Sequence, residues 1–224
     1  DLDGIAALAA SAPALAQAEV PAAAPARVRV AVARDEAFCF LYEENLAALR
    51  QAGAETVFFS PLHDKALPPD VGGLYLPGGY PELHAQTLSQ NTAMREAVRR
   101  AVGAGMPTVA ECGGFLYLHD TLDGVPMAGV IHAAAAKTDR LQRFGYVTLR
   151  AREDNLLCRA GETIRGHEFH YYDSGDCGGG FRAEKPVSGK SWDCVHVSDT
   201  LYAGFPHLYL PSNPGFARAS ADKA

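Results

Sequence analysis

The sequence predicts an α/β fold in which helices cover both faces of a mostly parallel central sheet. Short β-branched segments alternate with helical segments from Arg27 to Ala110, and a glycine pair follows each of the last two strands of this series. The chain has 224 residues, of which 48% are hydrophobic, so it can bury a core without disulfide bonds. No internal repeat is visible. We therefore expect one domain over residues 27–224.

The first 26 residues have a different composition, rich in alanine and proline. This pattern predicts a short helix followed by an extended linker. We interpret residues 1–26 as the end of a preceding domain and its linker, with a disordered tail as the alternative.

The predicted elements follow one another at short intervals from residue 28. Glycines at 53 and 103 end the two helices. The first half is predicted to contain strands at 28–33, 55–59, 73–77 and 107–110 and helices at 42–51 and ending at Gly103. The second half is predicted to be antiparallel or mixed, with strands at 145–149, 167–172, 193–197 and 201–204.

Charge and composition exclude several classes of partner. The formal net charge is -6, and no basic run exceeds the pair Arg99 and Arg100, so we expect neither nucleic acid nor anionic lipid as a partner. No apolar run approaches the roughly 18 to 20 residues of a membrane span. The acidic start of the chain lacks the basic region of a signal peptide. We expect a cytoplasmic protein.

The five cysteines do not form a C-x-x-C pair, which argues against a disulfide framework or a zinc ribbon. Cys112 differs from the others because it directly follows an apolar strand and precedes Gly113 and Gly114. A strand-to-helix elbow of this kind exposes a nucleophile, and the start of the following helix, expected near Phe115, favours a thiolate. The alternative is a buried structural cysteine.

Two further features complete a candidate site for covalent catalysis. The backbone N–H groups of Gly79 and Gly113 are candidates for an oxyanion hole, although Pro77-Gly78-Gly79 by itself is only a turn. His207 is the candidate base, because catalytic partners meet in space and not along the chain. A packed histidine is the alternative.

His167 and His170 invite a metal interpretation, which we reject. Alternation along a strand places the two rings on opposite faces, and zinc needs two further ligands. We predict no metal site, and we interpret this segment as structural or as part of an interface.

Four motifs in order resemble the C-terminal glutaminase domain of the cobyrinate and hydrogenobyrinate a,c-diamide synthases. They are Pro77-Gly78-Gly79-Tyr80-Pro81-Glu82, Glu111-Cys112-Gly113-Gly114-Phe115-Leu116-Tyr117-Leu118, Arg165-Gly166-His167-Glu168-Phe169-His170-Tyr171, and Gly204-Phe205-Pro206-His207 with Ser212-Asn213-Pro214. The resemblance covers about residues 27–216. It implies a flavodoxin-like class I glutamine amidotransferase fold, with Cys112 as the nucleophile and His207 as its partner.

The resemblance also implies a reaction and partners. Glutamine would be hydrolysed to glutamate and ammonia through a Cys112 thioester. The ammonia would serve the amidation of the a and c carboxylates of a corrinoid acid in cobalamin biosynthesis. ATP and Mg²⁺ would act in the N-terminal synthase domain, of which residues 1–18 would be the last helix. A homodimer is a further expectation.

The sequence departs from the wider amidotransferase pattern at two points. Tyr209 stands where many class I enzymes have a triad glutamate, which leaves open whether a carbonyl or a water orients His207. No P-loop string occurs, so the chain is not expected to bind ATP by itself. The glutaminase part of a cobyric acid synthase or another tetrapyrrole amidase, and a non-catalytic docking module, are the alternatives.

Overall fold

The computed structural model describes residues 1–16 and 24–224. Helix α1 (Leu2–Ala10) begins after Asp1, whose carboxylate accepts a hydrogen bond from the N–H of Gly4. Leu2, Ile5 and Leu8 on this helix are exposed. The short helix predicted near the start of the chain is therefore present, but it ends at Ala10, so the helix expected over residues 1–18 is wrong for residues 11–16. The predicted linker lies partly outside the described residues, and the proposed domain boundary stays a prediction.

The remaining elements follow in an order that the alternating pattern predicted for the first half. They are β1 (Val28–Ala33), α2 (Glu43–Gln51), β2 (Ala54–Phe59), β3 (Gly73–Leu76), α3 (Ala85–Gln90), α4 (Thr92–Gly103), β4 (Thr108–Glu111), α5 (Gly113–Leu118), β5 (His119–Leu122), β6 (Val125–Pro126), β7 (Ile131–Lys137), β8 (Arg143–Ala151), β9 (Thr163–His170), β10 (Tyr172–Ser174), β11 (Phe181–Glu184), β12 (Ser191–Cys194), β13 (His196–Val197), β14 (Leu201–Gly204), β15 (His207–Leu208) and α6 (Pro214–Lys223).

The central sheet has six strands in the order β13-β14-β4-β3-β1-β2. All neighbouring strands pair in parallel except β13 with β14. Strand β14 comes from the second half of the sequence and pairs with β4, so that Gly204 lies opposite Glu111. The predicted α/β class with a mostly parallel sheet is confirmed.

Alternate residues of the central strands pack into two cores on opposite faces of the sheet. Val30 and Val32 of β1 pack into a core that also contains side chains of α2 and α6. Ala31 and Ala33 pack into the other core, with side chains of α4 and α5. This alternation is the period-2 pattern of a strand that is buried on both faces.

The second half of the chain adds two smaller sheets. One is an antiparallel sheet in the order β12-β11-β8-β9-β15, and its inward side chains share the core of α2 and α6. The other has the order β10-β7-β5-β6 and mixes parallel and antiparallel pairs. Among the described residues, none of the helices is long and apolar enough to cross a bilayer.

Three predicted boundaries were wrong for local reasons. The strand predicted at 167–172 is divided at Tyr171, because β9 and the following β10 belong to different sheets. The strand predicted at 193–197 is divided at Val195, whose φ of +71° interrupts the extended backbone. The helix after Cys112 begins at Gly113 rather than near Phe115.

Candidate active site

Cys112 lies in the tight turn between β4 and α5. Its φ of +46° is one that residues with a side chain rarely adopt. Its N–H donates to the carbonyl of Gly204 on the neighbouring strand β14 at 2.8 Å. The N–H of Gly114 donates to the carbonyl of Pro77 at 3.0 Å, and a Cβ on Gly114 would collide with the carbonyl of Leu76. Cys112 is thus held at the carboxyl end of the sheet, in the predicted elbow.

The turn after β3 lies between the elbow and His207. A Cβ built on Gly113 would lie 2.8 Å from the backbone nitrogen of Gly79, so these two candidate oxyanion residues are adjacent. A Cβ on Gly78 would collide with the imidazole of His207. Gly79 has a φ of +156°, and a Cβ there would collide with the carbonyl of Ala37. Only glycines fit this turn, because the backbone touches its neighbours on both sides.

His207 lies in the same region, although it is far from Cys112 in the sequence. It begins β15, which follows β14 after two residues and pairs with β9, so that His207 lies opposite His167. The His207 side chain is buried, and its ring centroid lies 4.6 Å from that of Phe40. The structure therefore brings the predicted residues Gly79, Gly113 and His207 to the sheet edge that Cys112 occupies.

Glu111 is a further residue of the site. It belongs to one of the sequence motifs, but no role was predicted for it. Its Oε2 lies 3.8 Å from Nδ1 of His207, and both side chains are buried. The hydroxyl of Tyr75 donates to the same Oε2 at 3.1 Å, and the N–H of Leu208 donates to Oε1 at 3.1 Å. The sequence signal for Glu111 was a charged residue at the end of an apolar strand that is buried on both faces.

A buried asparagine on α2 fixes the segment that contains His207. The side-chain amide of Asn45 donates to the carbonyl of Leu208 at 2.8 Å, and its Oδ1 accepts from the N–H of Leu210 at 2.9 Å. Together with the Glu111 bond to Leu208, these contacts hold the backbone directly after His207. The sequence signal was one polar residue within the apolar face of a helix.

Burial controls the protonation of three site residues. It raises the pKa of the Cys112 thiol to about 12 and that of the Glu111 carboxyl to about 8. It lowers the pKa of His207 to about 3. At neutral pH the site therefore contains a neutral thiol, a neutral imidazole and a protonated carboxyl group. All three groups are therefore uncharged at neutral pH before a ligand is present.

A groove of about 670 Å³ opens beside His207. Its walls include Tyr42, Tyr146, His167 and Tyr209. The outward face of β8 and β9 continues this groove as a row of aromatic residues, because Phe144 pairs with Phe169 and Tyr146 pairs with His167. We call the four exposed side chains of Phe144, Tyr146, Phe169 and Tyr171 the aromatic face.

His167 and His170 point to opposite faces of β9, as their spacing predicted. His167 lines the groove, whereas His170 is buried beside Glu168. Within residues 1–16 and 24–224, no three histidine, cysteine, aspartate or glutamate side chains are arranged to hold a metal ion.

The remaining cysteines lie outside the elbow. Cys39 is exposed, Cys158 and Cys177 are partly buried, and Cys194 is buried. All five cysteines are free thiols. Burial raises the pKa of Cys158 and of Cys177 to about 11 in each case.

Comparison with known sequences identifies related proteins. Residues 29–205 match the CobB/CobQ-like glutamine amidotransferase domain, a range that includes Cys112 but ends two residues before His207. The cobyrinate a,c-diamide synthase of Methanothermobacter thermautotrophicus is 43% identical over 195 residues, which cover 85% of this chain and 43% of that protein. The hydrogenobyrinate a,c-diamide synthase of Pseudomonas aeruginosa is 43% identical over 199 residues, covering 86% and 43%. The chain thus spans less than half the length of these relatives.

Solved structures show the same fold. PurLQS from Thermotoga maritima aligns with a TM-score of 0.60 at 18% identity, covering 88% of this chain and 97% of that one. A glutamine amidotransferase aligns with a TM-score of 0.53 at 19% identity, covering 87% and 97%. These likenesses confirm the predicted class I glutamine amidotransferase fold. By its sequence, the chain belongs to the family of CobB/CobQ-like glutamine amidotransferase domains.

Proposed function

We propose that this chain hydrolyses the side-chain amide of glutamine with Cys112 as the nucleophile. The observation on which the proposal depends is the Gly78–Gly79 turn, whose two residues contact the His207 ring and Gly113 directly beside the Cys112 elbow. A nucleophile, a base and two backbone donors at one sheet edge are the parts that acyl transfer requires.

In the proposed reaction, His207 accepts the thiol proton while Cys112 Sγ attacks the carboxamide carbon. The N–H groups of Gly79 and Gly113 then stabilise the oxyanion, a role in which loss of one donor costs about 3 to 4 kcal/mol. Collapse of the intermediate breaks the C–N bond, and ammonia leaves with the proton from His207. Water hydrolyses the thioester to release glutamate and regenerate the thiol.

Glu111 is the proposed positioning residue for His207. The Tyr75 hydroxyl and the Leu208 N–H fix its carboxyl group, and its Oε2 faces Nδ1 of the imidazole. When His207 accepts the thiol proton, the adjacent Glu111 favours the resulting cation, especially if it is ionised. This arrangement would replace the triad glutamate that Tyr209 displaces.

The destination of the ammonia is proposed from the relatives. Both named relatives are a,c-diamide synthases of corrinoid acids, and this chain spans less than half of their length. We therefore propose that the chain supplies ammonia to an ATP- and Mg²⁺-dependent synthase part, which amidates the a and c carboxylates of cobyrinic or hydrogenobyrinic acid.

The aromatic face is the proposed contact surface for that synthase part. Tyr146 is 77% exposed and lines the groove beside His207. Phe144 is 63% exposed and packs edge-on against His167 of the groove wall. Contiguous exposed aromatic residues are typical of protein interfaces. A partner bound here would cover the groove and separate the released ammonia from solvent.

The test is selective labelling of the active-site thiol. The purified chain is treated with 6-diazo-5-oxo-norleucine, a glutamine analogue with an electrophilic carbon, and all five cysteines are mapped by mass spectrometry. We expect labelling of Cys112 alone and protection by glutamine. Labelling of several cysteines, or of none, would contradict a preformed glutamine site.

The matched variants are Cys112→Ser and Cys39→Ser, assayed for glutamate release. The first is expected to lower the rate by at least about 10³-fold because it removes the nucleophile. The second removes an exposed thiol and is expected to leave the rate unchanged. Equal rates for Cys112→Ser and the parent would reject the enzyme proposal in favour of a docking module.

A further inference from the structure

Three neighbouring strands supply one wall of the groove beside His207. Every second residue of a strand points to the same face, so side chains from β8, β9 and β15 form rows across the sheet. In the first row, Tyr146 lies opposite His167, and His167 lies opposite His207. All three residues line the groove. The first row thus connects the groove to the proposed base.

The second row is a line of hydrogen-bond donors. Thr148 lies opposite Arg165, and the carbonyl of Arg165 accepts from the N–H of Tyr209 at 2.9 Å. These three residues also line the groove. The row is two residues, or about 7 Å, along β9 from His167. A guanidinium flanked by two hydroxyl groups matches a carboxylate, because arginine can donate two parallel hydrogen bonds to that group.

The guanidinium of Arg165 is free to bind a ligand, although its backbone is fixed. The N–H of Arg165 donates to Oγ of Ser212 at 3.0 Å, and its carbonyl accepts from Tyr209. Within residues 1–16 and 24–224, the Arg165 side chain makes no hydrogen bond and no salt bridge. In contrast, Arg182 on β11 of the same sheet pairs with Asp193 at 3.0 Å. Arg165 therefore offers an unused positive charge inside the groove.

The groove contains positive charge without an acidic partner. Among the described residues, none of those that line it is acidic. Glu184 on β11 lies opposite Thr148, but it is two strands away from Arg165. Lys185 directly follows Glu184, and its Nζ donates to the carbonyl of Phe144 on β8, which adds a second positive charge nearby. The electrostatics of the groove thus favour an anion.

The glutamine of the proposed reaction leaves this groove unfilled. Cys112, Gly79 and Gly113 would contact the glutamine amide, and none of them lines the groove. The groove volume of about 670 Å³ lies within the roughly 300 to 1,000 Å³ that small-molecule sites span. Tyr42 adds a further ring to its wall. The groove therefore has the room and the walls for a second ligand, an organic acid, beside the base.

We propose that the groove binds a carboxylate of the acid that receives the ammonia, with the Arg165 guanidinium as its partner. The hydroxyl groups of Thr148 and Tyr209 donate from either side, and the rings of Tyr42 and Tyr146 pack against the body of the acid. The identity of the acid rests on the proposed function, whereas a carboxylate site at Arg165 does not. That acid has at least two carboxylates, so one can be bound here while another is amidated. No bond is made or broken in the groove.

The test is equilibrium dialysis of the whole chain against cobyrinic acid, whose visible absorbance reports its concentration. We expect saturable binding of one molecule with a Kd below about 1 mM. The fully methylated ester of the acid keeps the ring but lacks the charges, so it should bind at least about tenfold more weakly. L-Glutamate is the competitor that represents the other source of a carboxylate, and it should not displace the acid. Absence of binding, or displacement by L-glutamate, would overturn the proposal.

The matched variants are Arg165→Gln and Arg150→Gln. Arg150 is an exposed arginine on β8 that lies opposite Thr163 and outside the groove. Arg165→Gln is expected to weaken binding of the acid at least about tenfold, and Arg150→Gln to leave it unchanged. Arg165→Lys keeps the charge but not the two parallel bonds, so its affinity should lie between those of Arg165→Gln and the parent. Equal losses in Arg165→Gln and Arg150→Gln would indicate general attraction by positive charge and contradict the proposal.

NMR of histidine labelled with ¹³C at the ε1 carbon locates the bound acid. The His167 signal, assigned by its loss in His167→Gln, should shift along the same saturation curve as the dialysis. The signal of His132, whose side chain is 85% exposed, should not shift. Binding of the acid with an unchanged His167 signal would place the ligand outside the groove and overturn the proposal, even where Arg165→Gln does not fold.

These experiments use an added acid and need no glutamine turnover. A chain that binds the acid through Arg165 but leaves Cys112 unlabelled by the glutamine analogue would retain this site and lose the proposed function. A chain with a labelled Cys112 and no binding of the acid would retain glutamine hydrolysis and lose this site. The two failures are therefore distinguishable.

Discussion

His207 lies where the central sheet is next to the antiparallel sheet of β8, β9, β11, β12 and β15. The two sheets contribute to the site in different ways. At the carboxyl edge of the central sheet, the site depends mainly on backbone conformation, namely the strained Cys112 and the two glycines of the turn, which have no room for a Cβ. The buried Glu111 side chain lies at the same edge. On the antiparallel sheet the site depends on side chains, with Glu168 and His170 directed inward from β9 and aromatic residues outward. The difference suggests a division of labour, in which the proposed cleavage machinery lies mainly on the central sheet and the proposed partner contact on the antiparallel sheet.

After removal of the nucleophile itself, the largest expected loss of glutamine hydrolysis comes from Gly78→Ala. The added Cβ would collide with the His207 ring and displace the base, so we expect the rate to fall about 10²- to 10³-fold. The assay is glutamate release from this chain. Gly103→Ala is the control, because a Cβ there meets nothing within 4 Å. An active Gly78→Ala variant would contradict the placement of His207 as the base.

Glu111→Gln is expected to reduce hydrolysis about 10- to 100-fold, the usual cost of losing a group that orients another. The pH profile separates this role from a merely structural one. In the parent, the rate should rise as Glu111 ionises near pH 8, since burial raises its pKa to about that value. In the Glu111→Gln variant, this rise in rate near pH 8 should be absent. Glu55→Gln, at a more exposed carboxylate, is the control.

The same variant should change how stability depends on pH. The folded protein keeps the Glu111 proton up to about pH 8, whereas the unfolded chain releases it near the ordinary value of 4.5. Between these values the parent's free energy of unfolding loses up to about 1.4 kcal/mol per pH unit from this group as the pH rises. His207 has the opposite effect below its ordinary value of 6.5, because its pKa is lowered.

Subtracting the parent from Glu111→Gln isolates the carboxyl contribution. The difference in free energy of unfolding, variant minus parent, should increase from pH 5 to pH 8 in urea titrations. A difference that does not change with pH would mean that Glu111 is ionised in the folded state at all these values.

The two regions also differed in how far sequence could predict them. The Cys112 elbow, the glycine turn and the parallel strands follow from local signals, because glycine pairs after apolar strands have few other structural solutions. The pairing of β14 with β4, and the contact of Glu111 with His207, join residues about 100 positions apart and depend on tertiary packing. Glu168 shares one sequence motif with His167 and His170, but alternation along β9 places Glu168 and His170 on the buried face and His167 in the groove.

Glu168→Gln addresses the second sheet and should leave glutamine hydrolysis within about twofold of the parent, since the residue does not touch the proposed reacting atoms. A loss of hydrolysis equal to that of Glu111→Gln would assign Glu168 to the cleavage machinery and contradict the division between the sheets.

Tyr146→Ser should have the smallest effect on the chain alone, because the side chain is 77% exposed and its loss opens no core cavity. Hydrolysis and stability should match the parent. Binding to a separately produced synthase part should weaken about fivefold or more, as truncation of an aromatic interface residue typically does. Val187→Ser is the control, since Val187 is 99% exposed and outside the aromatic face. If both variants bind the partner as the parent does, the aromatic face is not the contact surface, and the proposed division between the two sheets is wrong.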